Sequence, residues 1–156
     1  MSLRDKWPVI LFLLTATAGV FFSRHHPFFW DTVQLASKHA HFYYDNHFSQ
    51  LLLPTEIDSG HPPAFGMYIA ACWKLFGQTL PVSHLAMLPF LWGIVLLLFA
   101  IGRHFGSQGA AWMFALLAFA DPVFAAQSVL VSPDIVLVFF FLLGLWGIVR
   151  QKPWAI

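Results

Sequence analysis

The feature that most constrains this chain is a set of four apolar stretches, each long enough to cross the hydrocarbon core of a bilayer. They cover residues 7–23, 81–101, 110–130 and 133–149. About 17 to 25 helical residues cross about 30 Å of hydrocarbon. Lipid offers no hydrogen-bond partner to the backbone, so such stretches fold as helices. The sequence therefore predicts an all-α integral membrane protein with four transmembrane helices.

The composition is typical of a membrane protein and argues against a nucleic-acid-binding protein. Hydrophobic residues make up 59% of the chain, charged residues only 10%, and the mean hydropathy is +0.72. The eight Lys and Arg residues are widely scattered and the net charge is +1. A nucleic-acid binder needs many basic residues on one face to neutralise phosphates. We therefore expect no nucleic-acid partner.

The basic residues also indicate the orientation of the chain. With four spans and a cytoplasmic N-terminus, five of them are cytoplasmic: Arg4, Lys6, Arg103, Arg150 and Lys152. Making Pro62–Phe76 a fifth span would leave only three basic residues inside. The positive-inside rule favours four spans, with the loop 24–80 extracytoplasmic. A cleaved signal peptide over the first stretch is an alternative.

The outer loop 24–80 contains two candidate juxtamembrane helices. Apolar residues recur with helical spacing from Trp30 to Tyr44, which predicts one surface helix whose apolar face includes Trp30, Val33, Ala36, Ala40 and Tyr44. Pro62–Phe76 is too short to span and predicts a second surface helix, which Gly77 ends. Residues 45–61 are irregular.

Most carboxylates fall on the outer side in this topology. Asp31 followed by Gln34 fits a helix cap with its capping-box partner, and it also fits a catalytic base. Asp134 follows Ser132-Pro133, a common helix start, and is also a possible site carboxylate. Asp121 lies in the outer half of the third span, where it either faces a cavity or is lifted to the interface by a kink at Pro122.

Several short motifs occur in order along nearly the whole chain. Together they resemble glycosyltransferase family 39, which includes the protein O-mannosyltransferases and the lipid A aminoarabinose transferases and has the polyprenol-dependent GT-C fold. The motifs are Trp30-Asp31, His61-Pro62-Pro63, Lys74-Leu-Phe-Gly77, Gly102-Arg-His-Phe-Gly106 and Ser132-Pro-Asp134.

The resemblance implies transfer of a sugar, with inversion, from a polyprenyl-phosphate carrier to an acceptor on the extracytoplasmic face. It places the catalytic base at Asp31. The metal-ligating Glu and the phosphate-binding Lys of the aminoarabinose transferases have no counterpart at Gly60-His61, so we expect His61 to contact the donor phosphate or a metal, with nearby Glu56 or Asp58 supplying the carboxylate. His84 stands where a basic contact is expected. Asp134 and Asp121 are possible further site carboxylates. If a divalent metal is required, His61 and Asp58 are the candidate ligands. The implied location is the bacterial inner membrane.

This chain departs from the family pattern at three places. Thr32 stands where many members have a Glu beside the base, Gly60-His61 stands where the aminoarabinose transferases have Glu-Lys, and His84 replaces an Arg. Five other histidines share the outer loop: His25, His26, His39, His41 and His47. Their spacing does not match a zinc helix, and we expect most of them to be solvated at the interface.

The segment Lys152–Ile156 resembles the opening of another span, so we expect the chain to be the N-terminal part of a larger GT-C enzyme, inactive in isolation. Two other functions are consistent with the sequence. The chain is alternatively a non-catalytic membrane partner or assembly subunit, or part of a transporter.

Overall fold

The computed structural model describes residues 3–151, with side chains from residue 6 onward. Every regular element within that range is helical. The elements are α1 (Leu3–Ser23), a π-helical segment (Val33–Lys38) that runs directly into α2 (His39–Asp45), α3 (Ala64–Phe76), α4 (Leu80–Leu85), α5 (Leu88–Phe105), α6 (Gln108–Ala120), α7 (Pro122–Ser128) and α8 (Pro133–Val149). Lys152 and the segment that resembles a further span lie outside the described residues.

Within residues 3–151, two helical stretches are long and apolar enough to cross a membrane. One is Lys6–Ser23 in α1, and the other is Leu80–Phe105, which joins α4 to α5. The bent pair of α6 and α7 would supply a third. Helix α8 is apolar but has 17 residues, about 25 Å at about 1.5 Å per residue. The all-helical prediction is confirmed, and the fourth span stays a prediction.

The helix predicted over residues 110–130 is not continuous, which corrects the sequence analysis. Helix α6 ends at Ala120 and α7 leaves it at an angle of 76°. A residue before proline is disfavoured in the helical region, and Asp121 is extended at φ −68°, ψ 121°. Its carboxylate Oδ1 accepts a hydrogen bond from the Phe124 N–H at 2.7 Å and starts α7. Asp121 is exposed at the bend.

Helix α5 is the centre of the bundle, because it packs against α1, α6 and α8. The Phe12 and Phe99 rings lie 5.8 Å apart, and the Trp92 indole donates to the Thr17 hydroxyl at 3.0 Å. These two contacts show that α1 runs antiparallel to α5. Phe90 near the start of α5 contacts Phe139, and His104 near its end contacts Trp146, so α8 runs parallel to α5. The C-terminus of α1 and the N-termini of α5 and α8 therefore share one end of the bundle, where the loop 24–80 is attached.

The segment 31–45 and α3 form a helical pair within the loop 24–80. Its buried face is Ala36, His39, Ala40 and Tyr43. Trp30 and Val33, which belong to the predicted apolar face, are 77% and 48% exposed and lie outside this buried face. The π-helical turns are wider than α-turns, so they rotate the residues that follow and bring His39 and Tyr43 inward.

Helix α3 confirms that the second predicted helix forms, although its first residue is Ala64 rather than Pro62. Its position at the membrane surface stays a prediction. Gly77 ends it at φ +97°, a conformation that glycine adopts without strain. At Gly66 the two helices of the pair come so close that an added Cβ would overlap the Cβ of His39. The small residue at position 66 therefore allows the contact.

Candidate functional site

A cavity of about 340 Å³ at the loop-bearing end of the bundle brings together three of the predicted site residues. Asp31, His61 and Asp134 all line it. They come from the start of the helical segment before α2, from the loop before α3 and from the first turn of α8. The other lining residues are Phe29, Trp30, Thr32, Leu35, Gln127, Leu130, Ser132 and Pro133.

Asp31 presents an exposed carboxylate that does not cap its helix. The local turn is held instead by Thr32, whose hydroxyl accepts from the Phe29 N–H at 2.8 Å and donates to the Phe29 carbonyl at 2.7 Å. The predicted capping box with Gln34 is therefore wrong. Trp30, directly before Asp31, has φ +52°, which is uncommon for a bulky residue and costs conformational energy.

Asp134 reaches the same cavity from the start of α8. The Ser132 hydroxyl accepts from the Asp134 N–H at 3.2 Å, and Pro133 occupies the first turn. The predicted helix start at Ser132-Pro133 is thus confirmed. The Asp134 side chain is exposed in the first turn of α8.

His61 enters the cavity from a tight turn in the loop. Its Nδ1 lies 3.0 Å from the Ser59 carbonyl oxygen. A carbonyl can only accept, so Nδ1 carries the proton, and Nε2 is the nitrogen left for a ligand. The turn is closed by Asp58, whose Oδ1 accepts from the Gly60 N–H at 2.8 Å, with Gly60 at φ +74°.

Glu56 and Asp58 do not line this cavity, although they belong to the same loop. The Glu56 backbone carbonyl accepts from the Lys38 ammonium at 2.8 Å, and its side chain is exposed. Asp58 is used in the turn that positions His61. Both residues thus support the loop.

His84 and Asp121 also lie apart from the three cavity residues. The His84 side chain is only 2% exposed, and its Nε2 lies 3.1 Å from the His26 carbonyl. This contact ties α4 to the segment that follows α1. Asp121 starts α7 at the bend.

His39 is a residue whose position the sequence analysis missed. Its side chain is fully buried between α2 and α3, whereas we expected most loop histidines to be solvated. Burial lowers the pKa of the His39 imidazole, and the Ile57 backbone and the Asp58 carboxylate oppose that change. Its Nε2 lies 3.2 Å from the Ser59 hydroxyl.

Gln127 is a second residue that the sequence analysis missed. It lines the cavity, and its Oε1 is buried without a hydrogen-bond partner among the described residues. A buried acceptor in this condition needs water or a ligand to satisfy it. The signal in the sequence was a lone amide inside an apolar stretch.

An apolar groove of about 340 Å³ adjoins the polar cavity. The two share Leu35, His61, Pro133 and Asp134. The remaining groove residues are Pro62, Ala64, Phe65, Val136, Leu137 and Phe140. A ligand with a polar head and an apolar chain would match this pair of adjoining surfaces.

The described lining of the cavity contains two carboxylates and an imidazole, with no Lys or Arg. Within residues 3–151, no three His, Cys, Asp or Glu side chains are grouped as metal ligands. Asp58, one of the two candidate ligands, is engaged in its turn away from the cavity. The described residues do not fit a metal held by protein ligands alone.

No protein-family model matches the chain, and neither a curated protein nor a solved structure matches it significantly. The candidate site is therefore inferred from the positions of its own residues.

Proposed function

We propose that this protein is a membrane glycosyltransferase that takes a sugar from a polyprenyl-phosphate carrier and transfers it, with inversion, to an acceptor on the extracytoplasmic face. The observation that carries the proposal is the convergence of Asp31, His61 and Asp134 on one cavity beside an apolar groove. The resemblance to glycosyltransferase family 39 supplies the reaction class.

The groove accounts for the lipid part of the donor. Leu137 and Phe140 are 69% and 57% exposed on α8 and line it. The first isoprene units of the carrier lie against these side chains, and the phosphate lies at the shared boundary near His61. Burial of apolar surface contributes about 25 cal/mol per Å² to such a contact.

His61 supplies the contact to the phosphate. Protonated at Nε2, it donates a charge-assisted hydrogen bond to a phosphate oxygen while Nδ1 stays bound to Ser59. The same proton offsets part of the negative charge of the two carboxylates, whose field would otherwise repel the phosphate.

Asp31 acts as the general base. Its carboxylate accepts the proton of the acceptor hydroxyl as that oxygen attacks the anomeric carbon. The bond from the anomeric carbon to the phosphate oxygen breaks on the opposite face, and polyprenyl phosphate leaves with the electron pair. Asp31 then returns its proton to solvent. Asp134 and Gln127 are placed to accept hydrogen bonds from sugar hydroxyls.

The test is a transfer assay on the protein expressed from its whole reading frame and reconstituted in liposomes. A panel of radiolabelled polyprenyl-phosphate sugars is offered with lipid, glycan and peptide acceptors. We expect one donor to give a labelled product that forms in wild type and is lost in Asp31→Asn. Release of no sugar from any donor, with the protein folded, would favour the non-catalytic partner or the transporter.

A further inference from the structure

We propose that buried His39 is a positioning residue that holds His61 in the cavity through Ser59. The proposal deepens the proposed function and rests on it for the role of His61. The contacts themselves are independent of the reaction.

The chain of contacts has two hydrogen bonds. The Ser59 hydroxyl lies 3.2 Å from His39 Nε2. The Ser59 carbonyl lies 3.0 Å from His61 Nδ1. Ser59 thus joins the buried imidazole of the helical pair to the exposed imidazole in the cavity.

His39 is the buried end of this series of contacts. It is fully buried, and Gly66 of α3 packs against its Cβ and backbone. The neighbouring residue, Lys38, binds the same loop by donating to the Glu56 carbonyl at 2.8 Å. Two consecutive residues of one helix therefore fix the loop that ends in His61.

The same helical segment begins at Asp31. Asp31 is the first residue of this segment, and His61 is linked to the middle of the segment through Ser59 and His39. The distance between base and imidazole is set by one stretch of helix, and a shift of about 1 Å in such a geometry costs up to about 100-fold in rate.

This relay, the hydrogen bonds from His39 to Ser59 and from Ser59 to His61, also determines which His61 nitrogen faces a ligand. Because Ser59 accepts from Nδ1, Nε2 is the nitrogen that meets the phosphate. Without the His39 contact, the Ser59 carbonyl is free to rotate away, and the His61 ring loses its fixed tautomer and orientation.

The first arm of the test measures the His61 tautomer by long-range ¹H–¹⁵N NMR on the histidine-labelled full chain in micelles at neutral pH. His61 signals are assigned by comparison with His61→Gln. We expect the Nδ1-protonated form in wild type, and averaged tautomers in Ser59→Ala and His39→Leu. Ser59→Thr, which keeps the hydroxyl, and His39→Gln, which keeps a hydrogen-bonding group near the Nε2 position, should retain the wild-type signals.

His41→Ala is the matched control. In wild type, His41 lies on the same helix as His39, and its Nδ1 forms a 2.8 Å hydrogen bond with the Ser37 carbonyl. His41 lines a separate cavity with Ser37 and Asp45. We expect this variant to leave His61 unchanged. Unaltered His61 signals in both Ser59→Ala and His39→Leu would overturn the proposal even if sugar transfer is real.

The second arm measures transfer kinetics of the full-length protein. We expect Ser59→Ala to lower kcat about ten- to a hundredfold, with activity retained in Ser59→Thr. Normal kinetics in Ser59→Ala, with an altered His61 tautomer, would reduce the relay to a structural contact. Absence of transfer in wild type would contradict the proposed function, while the NMR arm would still decide whether His39 orients His61.

Discussion

Asp31, at the start of the helical segment that leads into α2, and Asp134, in the first turn of α8, line the same cavity although most of the chain separates them in sequence. Two carboxylates that face one cavity, with His61 as the basic residue of its described lining, suit a reaction that must accept a proton and bind hydroxyl groups. Asp31 carries the stronger prediction, because its carboxylate makes no helix-capping bond that its removal would break.

Asp31→Asn should lower turnover by roughly two to four orders of magnitude, because the amide keeps the size of the side chain but cannot accept the proton. Folding should persist, as judged by an unchanged melting temperature in detergent. Asp45→Asn is the control, since Asp45 is exposed on the same helix and lines a different cavity. Near-normal turnover in Asp31→Asn would remove Asp31 from the mechanism.

His61→Ala should weaken donor binding or slow transfer at least about tenfold, or about 1.4 kcal/mol, because it removes the contact to the phosphate. His41→Ala and His47→Ala should have much smaller effects, since neither residue lines the cavity. His39, although also a loop histidine, is unsuitable as a control because it is buried and bound to Ser59. Equal losses in His61→Ala and His47→Ala would contradict the role of His61.

Acidification should destabilise the helical pair through His39. Burial is the main cause that lowers the pKa of His39 from 6.5, helped by the charges of Lys38 and His61 and opposed by the Ile57 backbone and Asp58. The unfolded state therefore takes up the proton first, so stability is lost as the pH falls below about 6.5. The melting temperature of wild type should fall more between pH 7.5 and 5.5 than that of His39→Gln. Parallel pH profiles would show that His39 titrates as an exposed histidine does.

Single-cysteine labelling tests the topology, with Cys72 replaced in the background. Thr55→Cys in the outer loop should react with an impermeant reagent added outside, and Phe105→Cys only after the membrane is opened. Both side chains are exposed, and reaction of Phe105→Cys once the membrane is opened shows that its thiol is accessible to the reagent. External labelling of Phe105→Cys would overturn the four-span topology that the Lys and Arg distribution favours.

Local signals predicted much of this structure. Apolar stretches that face lipid or a protein core form helices. The end of α3 at Gly77 and the start of α8 at Ser132-Pro133 follow from the backbone preferences of single residues. Three of the predicted site residues, Asp31, His61 and Asp134, also line one cavity.

Tertiary contacts determine which side chains are buried and which face the cavity, and the sequence alone did not show this. The π-helical turns over Val33–Lys38 rotate the face of the segment, and no periodicity rule anticipates them. Burial of His39 depends on Gly66 from another helix, and burial of His84 depends on the backbone at His26. Glu56 and Asp58 were predicted from proximity in sequence, which does not determine which side chain of a loop faces a cavity.

Photo-crosslinking tests the central claim most directly. A polyprenyl-phosphate sugar with a diazirine on its first isoprene unit is irradiated with the reconstituted full-length protein, and adducts are located by mass spectrometry. We predict adducts on Phe65, Leu137 and Phe140, which line the apolar groove, and their loss when unlabelled polyprenyl phosphate competes. A second apolar cavity, of about 380 Å³ and lined by Tyr68, Cys72 and Phe76, serves as the internal control. Adducts there instead of on α8, or labelling that competitor does not reduce, would contradict the account.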